Sequence, residues 1–130
     1  MSDDWLDSIR FDERGLVPAV IQDRLDGRVL MLGYMNREAL LKTLETGRVH
    51  FWSRSRRALW CKGETSGHLQ HIDEMLLDCD GDAILVRVRQ EVAACHTGHR
   101  SCFFRRLEAG LWHEVEPKVF EPEVVYKKPS

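Results

Sequence analysis

At 130 residues the chain is one domain by size, able to bury roughly 65–70% of its unfolded surface without disulfide staples. Its 19 Lys and Arg against 21 Asp and Glu leave a net charge of −2, so no overall field draws it to nucleic acid or to an anionic membrane. Met1-Ser2-Asp3-Asp4-Trp5 has neither a basic nor an apolar leader region, and the apolar runs are short, so a soluble, cytosolic protein with no membrane partner is expected. In that reducing setting the four cysteines are ligands, catalytic groups or core residues before they are disulfides.

Leu16-Val17-Pro18-Ala19-Val20-Ile21 and Val29-Leu30-Met31-Leu32-Gly33-Tyr34-Met35 read as two strands joined around the turn pair Asp26-Gly27. Asn36 is a good N-cap, Leu40, Leu41 and Leu44 recur at helical spacing and Gly47 suits a C-terminal stop, which predicts a helix over 37–46. Strands are expected at 48–53 and 58–61, bracketing the basic turn Arg54-Ser55-Arg56-Arg57, and again at 72–77 and 83–92. The core is expected over about 16–110; Pro117, Pro122 and Pro129 then predict an extended tail over 111–130. No repeat, linker or second domain is visible. The pattern predicts a small, strand-rich α+β single domain with one main helix.

Asp78-Cys79-Asp80-Gly81-Asp82 and Cys95-His96-Thr97-Gly98-His99-Arg100-Ser101-Cys102 bring three thiols, three carboxylates and two imidazoles into 25 residues. Three thiolates on zinc leave its fourth position open to water, the ligand count of a catalytic site. An extended backbone would put Asp78, Asp80 and Asp82 on one face and Cys79 on the other, offering hard oxygens for magnesium or calcium beside a soft thiol. An EF-hand is excluded, because its Gly and Glu positions hold Ala83 and Arg89. The plainer reading is an acidic turn around Gly81. No Cys-x-x-Cys pair occurs, which argues against a zinc finger or redox centre, and Cys61 between Trp60 and Lys62 reads as packing. The ligands point to a metal-dependent hydrolase.

Arg54-Ser55-Arg56-Arg57 and Lys62-Gly63-Glu64-Thr65-Ser66-Gly67 hold cations, hydroxyls and glycine-freed amides, the parts of a phosphate cradle, although a basic turn is most often simply solvated. Trp52 and Trp60 are core or edge aromatics before they are stacking platforms. His96 ranks first among the histidines because Cys95 would place it beside the metal; His99 follows.

These residues resemble the phosphoribosyl-AMP cyclohydrolase family from about residue 29 to 105. The likeness rests on Met31-Leu32-Gly33-Tyr34-Met35-Asn36, His50-Phe51-Trp52-Ser53-Arg54-Ser55-Arg56, Leu59-Trp60-Cys61-Lys62-Gly63-Glu64-Thr65-Ser66-Gly67-His68 and the two ligand motifs. The resemblance implies zinc on Cys79, Cys95 and Cys102, magnesium on Asp78, Asp80 and Asp82, and an intertwined homodimer whose zinc site takes cysteines from both chains. With the chain ending at Ser130, it is similar to the single-function form. The implied reaction adds water at C6 of a nucleotide whose adenine N1 carries a second phosphoribosyl group, and breaks N1–C6. On that footing His96 and His99 are the candidate acid and base, and Trp52, Ser53, Arg54, Lys62, Glu64, Thr65 and Ser66 the candidate substrate contacts. A base deaminase is disfavoured by the missing His-x-Glu and Pro-Cys-x-x-Cys signatures, and a nucleic-acid module by the charge of −2.

Overall fold

The computed structural model describes residues 4–125. A 3-10 helix, Asp4–Ser8, leads into the strands β1 (Val17–Asp23) and β2 (Val29–Met35), then helix α1 (Arg37–Thr46), and then β3 (His50–Ser53) and β4 (Ala58–Cys61). They are followed by β5 (Gln70–Leu77), β6 (Ile84–Gln90), β7 (Arg105–Glu108), β8 (Leu111–Glu114) and the short helix α2 (Pro122–Val125). One sheet has the order β2-β1-β6-β5, with β1 parallel to β6 and the other pairs antiparallel; β3–β4 and β7–β8 are separate hairpins. This is a small, strand-rich α+β domain with one main helix.

Helix α1 runs over the predicted residues because both ends are chemically marked. The Asn36 side chain accepts the Ala39 N–H at 2.9 Å, and Gly47, at φ 75°, donates its N–H to the Thr43 carbonyl at 2.9 Å. Its inward face is Ala39, Leu40 and Thr43, while Leu44 is exposed. The buried Thr43 hydroxyl donates to the Ala39 carbonyl and accepts the His50 N–H at 2.9 Å, which fastens the helix to β3. β3 lies close on β2 because Gly33 has no side chain: a Cβ there would meet the Phe51 ring at 2.6 Å.

Strand β1 alternates buried and half-buried residues, and its inward positions Val17, Ala19 and Ile21 join Ile84, Val86 and Val88 of β6 in the core. The opposite face carries an apolar row. Leu32 pairs with Val20, Val20 with Leu85, and Leu85 with Leu76, and both Leu32 and Leu76 remain 45% exposed.

Two expectations at the ends change. Leu6, 2% exposed, and Ile9 belong to the core, so it begins before residue 16. Residues 111–125 do not form a plain extended tail: Ala109 (φ 50°) and Gly110 (φ 78°) make a left-handed two-residue turn that returns the chain as β8. Beyond it the Val119 N–H donates to the Gly98 carbonyl at 2.7 Å and α2 follows. The prolines act only after the hairpin has closed; Pro129 lies outside the described residues. No helix among those residues is long and apolar enough to cross a membrane.

Candidate active site

The loop after β6 is a tight turn in which the Gly98 N–H donates to the Cys95 carbonyl and the Cys95 N–H to the His99 carbonyl, each at 3.2 Å. The Cys102 N–H donates to the Leu30 carbonyl at 2.7 Å, which ties the loop to the start of β2. Cys95 is buried and shares a hydrogen bond with the Cys102 thiol. Cys102 keeps surface exposure, yet its thiol is pushed up to about 12, first by burial and then by the charge and hydrogen bond of Cys95. The Lys62 ammonium faces both thiols and donates to the Ala94 carbonyl at 2.5 Å; burial, foremost, lowers its pKa against the pull of the two sulfurs. Lys62, expected at a phosphate, is thus turned toward the thiol pair.

Behind the thiols, the Thr97 hydroxyl lies 2.9 Å from Cys95 Sγ and 2.7 Å from His99 Nδ1. The His99 ring is 1% exposed, stacked on Phe104 with centroids 3.6 Å apart, and its Nε2 stands 3.5 Å from a Glu114 carboxylate oxygen. His96 is exposed instead. With Trp60, Lys62, Glu64, Thr65 and Ser66 it lines a cavity of about 240 Å³. Cys61 borders the same cavity, half-buried, its thiol held up by burial.

The remaining substrate candidates lie elsewhere. Trp52 and Arg54 line a second cavity of about 550 Å³ with Arg14, Asn36 and Arg57, and the Ser53 hydroxyl accepts the Arg56 N–H at 3.2 Å within the β3–β4 turn.

The aspartates do not sit on an extended strand. Residues 78–82 form a turn: the Asp78 N–H donates to the Ala83 carbonyl, the Asp78 carboxylate accepts the Asp82 N–H, both at 3.0 Å, and Gly81 takes φ 76°. The one-face alternation therefore fails; local carboxylate-to-backbone bonding at a glycine turn outweighs extension. The Gly81 carbonyl accepts the Arg10 N–H at 2.7 Å, and a Cβ at Gly81 would lie 2.6 Å from the Ser8 carbonyl oxygen, so the turn is seated on the N-terminal segment. Asp78, Cys79, Asp80 and Asp82 are all exposed.

This turn precedes β6, whereas Cys95 and Cys102 follow it. The seven residues of β6 span about 20 Å, and among the described residues no three His, Cys, Asp or Glu side chains gather closely enough to hold a metal. The donor chemistry is divided: a pair of soft thiols with an ammonium beside them at one end, and a lone thiol with hard oxygens at the other. Each half suits part of a zinc and magnesium site. Sequence reasoning missed Thr97 and Glu114; Thr97 stood inside the Cys-His-Thr-Gly-His motif, but nothing marked Glu114.

An exposed imidazole, hydroxyls and cations share one cavity, and its Lys62 also faces the Cys95–Cys102 pair, a set of groups that suits a hydrolytic enzyme. The family model for phosphoribosyl-AMP cyclohydrolase matches residues 31–104. The phosphoribosyl-AMP cyclohydrolase of Pelotomaculum thermopropionicum is 58% identical over 124 residues, covering 95% of this chain and 96% of that protein. That of Methanococcoides burtonii is 55% identical over 121 residues, 93% of this chain and 98% of the relative. That of Chromobacterium violaceum is 52% identical over 127 residues, 97% and 96% of the two chains. The chain belongs to the phosphoribosyl-AMP cyclohydrolase family and is a hydrolase.

Proposed function

We propose that this hydrolase opens the adenine ring of phosphoribosyl-AMP in the cytoplasm, adding water at C6 and breaking N1–C6 to give phosphoribosylformimino-aminoimidazole carboxamide ribotide in histidine biosynthesis. Cys79, Cys95 and Cys102 hold zinc, and Asp78, Asp80 and Asp82 hold magnesium. The observation that carries the reading is the Cys95–Cys102 pair facing Lys62, which also lines the His96 cavity, in a chain so similar to relatives named for this reaction.

Because Cys79 stands at the far end of β6, the third thiol comes from a second copy, and the site is shared in a homodimer. The apolar row Leu32, Val20, Leu85 and Leu76 supports that pairing, since such a face on a sheet otherwise stays in water. A two-fold axis would then make two sites, each from the thiol end of one copy and the aspartate end of the other.

Zinc, when bound, supplies a Lewis acid that makes water a better nucleophile at neutral pH. His96, exposed at the cavity, takes the proton from the attacking water and returns it to ring N1. Protonating N1 selects ring opening over loss of the exocyclic amine. His99 cannot share that work from its place under Phe104, and it holds the loop instead. The Lys62 ammonium offsets the charge of the thiolates, and Glu64, Thr65 and Ser66 meet the sugar and phosphate at the cavity mouth.

The test is turnover of phosphoribosyl-AMP with metal analysis of the same samples. Cys79→Ala and Cys95→Ala should each be inactive, and the two mixed under subunit exchange should recover up to about half the wild-type rate, one intact site in two. No turnover by wild-type protein loaded with both metals would refute the reaction. Failure to complement, with exchange verified by mass spectrometry, would refute the shared site.

A further inference from the structure

We propose that the cavity lined by Arg14, Arg54 and Arg57 is a phosphate subsite, holding one of the two ribose phosphates of the substrate while the His96 cavity holds the other. The inference rests on the reading of the substrate as phosphoribosyl-AMP. Such a molecule carries a ribose phosphate on N1 and another on N9, on opposite edges of the purine. Two dianionic groups so placed call for two cationic subsites.

The three guanidiniums come from separate parts of the chain. Arg14 lies in the loop before β1, and Arg54 and Arg57 in the β3–β4 turn, yet they share one cavity of about 550 Å³ with Trp52 and Asn36. None of the three takes part in any ion pair found among the described residues. Arg14 has Asp12 beside it, but that carboxylate already accepts the Arg14 N–H at 2.8 Å and the Leu16 N–H at 3.0 Å. Arg54 is braced, its guanidinium carbon 4.0 Å from the centre of the Tyr34 ring, a contact that fixes the side chain without consuming its N–H donors. Arg57 holds a left-handed backbone at φ 52°, uncommon for a residue with a side chain. A merely solvated basic turn accounts for Arg54 and Arg57, but not for Arg14 joining them from the other loop. Planar, permanently charged forks around one hollow suit the tetrahedral oxygens of a phosphate.

The placement agrees with the shared site. Leu16 lies in the wall of this cavity and also of the one lined by Asp80 and Asp82, so the arginines belong to the aspartate end of the chain. Lys62, Thr65, Ser66 and His96 belong to the thiol end. The pairing that would complete the thiol set would also bring one cationic cavity from each copy to a single purine.

Steady-state kinetics on the metal-loaded dimer, with zinc content measured, test the assignment on Arg14→Gln and Arg57→Gln, with Arg106→Gln on β7 as a control for general charge. Loss of a charge-assisted hydrogen bond should raise KM for phosphoribosyl-AMP on the order of 10-fold in each variant, with kcat and zinc retained and Arg106→Gln silent. Inorganic phosphate should bind both variants more weakly than wild type in a 31P NMR titration. An unchanged KM, a fall in kcat alone, or an equal effect of Arg106→Gln would overturn the subsite. Wild-type protein that binds phosphate through Arg14 and Arg57 but does not turn over phosphoribosyl-AMP would leave the subsite standing and remove the reaction.

Discussion

Thr97→Val replaces a hydroxyl by a methyl of nearly the same shape, and the hydroxyl it removes bridges Cys95 Sγ at 2.9 Å and His99 Nδ1 at 2.7 Å. Among the described residues His99 Nε2 has only the Glu114 oxygen at 3.5 Å, a distance too long for a good hydrogen bond, so the variant leaves the buried imidazole without a close partner among them. Stranding a buried polar group costs about 1–3 kcal/mol. With an unfolding entropy of about 2.1 cal/mol/K per residue, that loss lowers the melting temperature by about 4–11 °C. The assay is thermal unfolding at fixed protein concentration and matched metal content, in a cycle with His99→Phe. Phenylalanine keeps the stack on Phe104 but has no nitrogen to strand, so Thr97→Val should cost only a few tenths of a kcal/mol in that background. An equal cost in both backgrounds would refute the hydroxyl–imidazole bond as its source.

Two further outcomes follow from the same loop and its supports. Asp26 receives the Arg100 guanidinium on both oxygens, at 2.8 and 3.0 Å, and chiefly for that reason its carboxyl is held down at about 2 against an ordinary 3.8. The pair therefore stabilises the fold fully above pH 3.8 and progressively less toward pH 2, where the folded carboxyl also protonates. Wild type should exceed Asp26→Asn in urea midpoint at neutral pH, and the difference should close across that window; a difference independent of pH would count against the pair. Gly98→Ala should free the C-terminal segment, because the residue sits at φ 99° and a Cβ would lie 2.5 Å from the Phe120 carbonyl oxygen. Hydrogen exchange at the Val119 N–H should accelerate, with a stability loss of at least about 1–2 kcal/mol from the left-handed backbone alone; unchanged protection would show that the contact carries no energy.

What the sequence made legible was local. The Asn36 cap, the Gly47 stop and the Asp26-Gly27 turn act within a few residues, and α1 and the β1–β2 hairpin fall where those signals put them. Asp78 to Asp82 misled because alternation carries meaning only in extended chain, and Gly81 with the Asp78 carboxylate makes a turn instead. The prolines of the C-terminal segment drew the reading away from Ala109-Gly110, where the hairpin is decided. Long-range facts left no trace in the composition: that Lys62 swings to the thiols, that the candidate substrate contacts divide between two cavities, and that the thiols stand at both ends of β6. Each depends on which strands neighbour one another, and pairing partners tens of residues apart are not encoded by any single segment.

The parallel pairing of β1 with β6 also bears on how the molecule comes to be folded. Ala19 faces Ile84, so the middle of the sheet joins segments separated by half of the chain, with a helix and a hairpin made in between. On a ribosome β1 and β2 can zip together early, but the other edge of β1 stays open until β6 has emerged. Nonlocal closure of this kind is slow, and an unpaired apolar strand is a template for pairing with the wrong neighbour. The vulnerable moment in the life of this protein is therefore its synthesis, and nascent chains stalled before residue 84 should be the species that chaperones hold and that aggregates recruit.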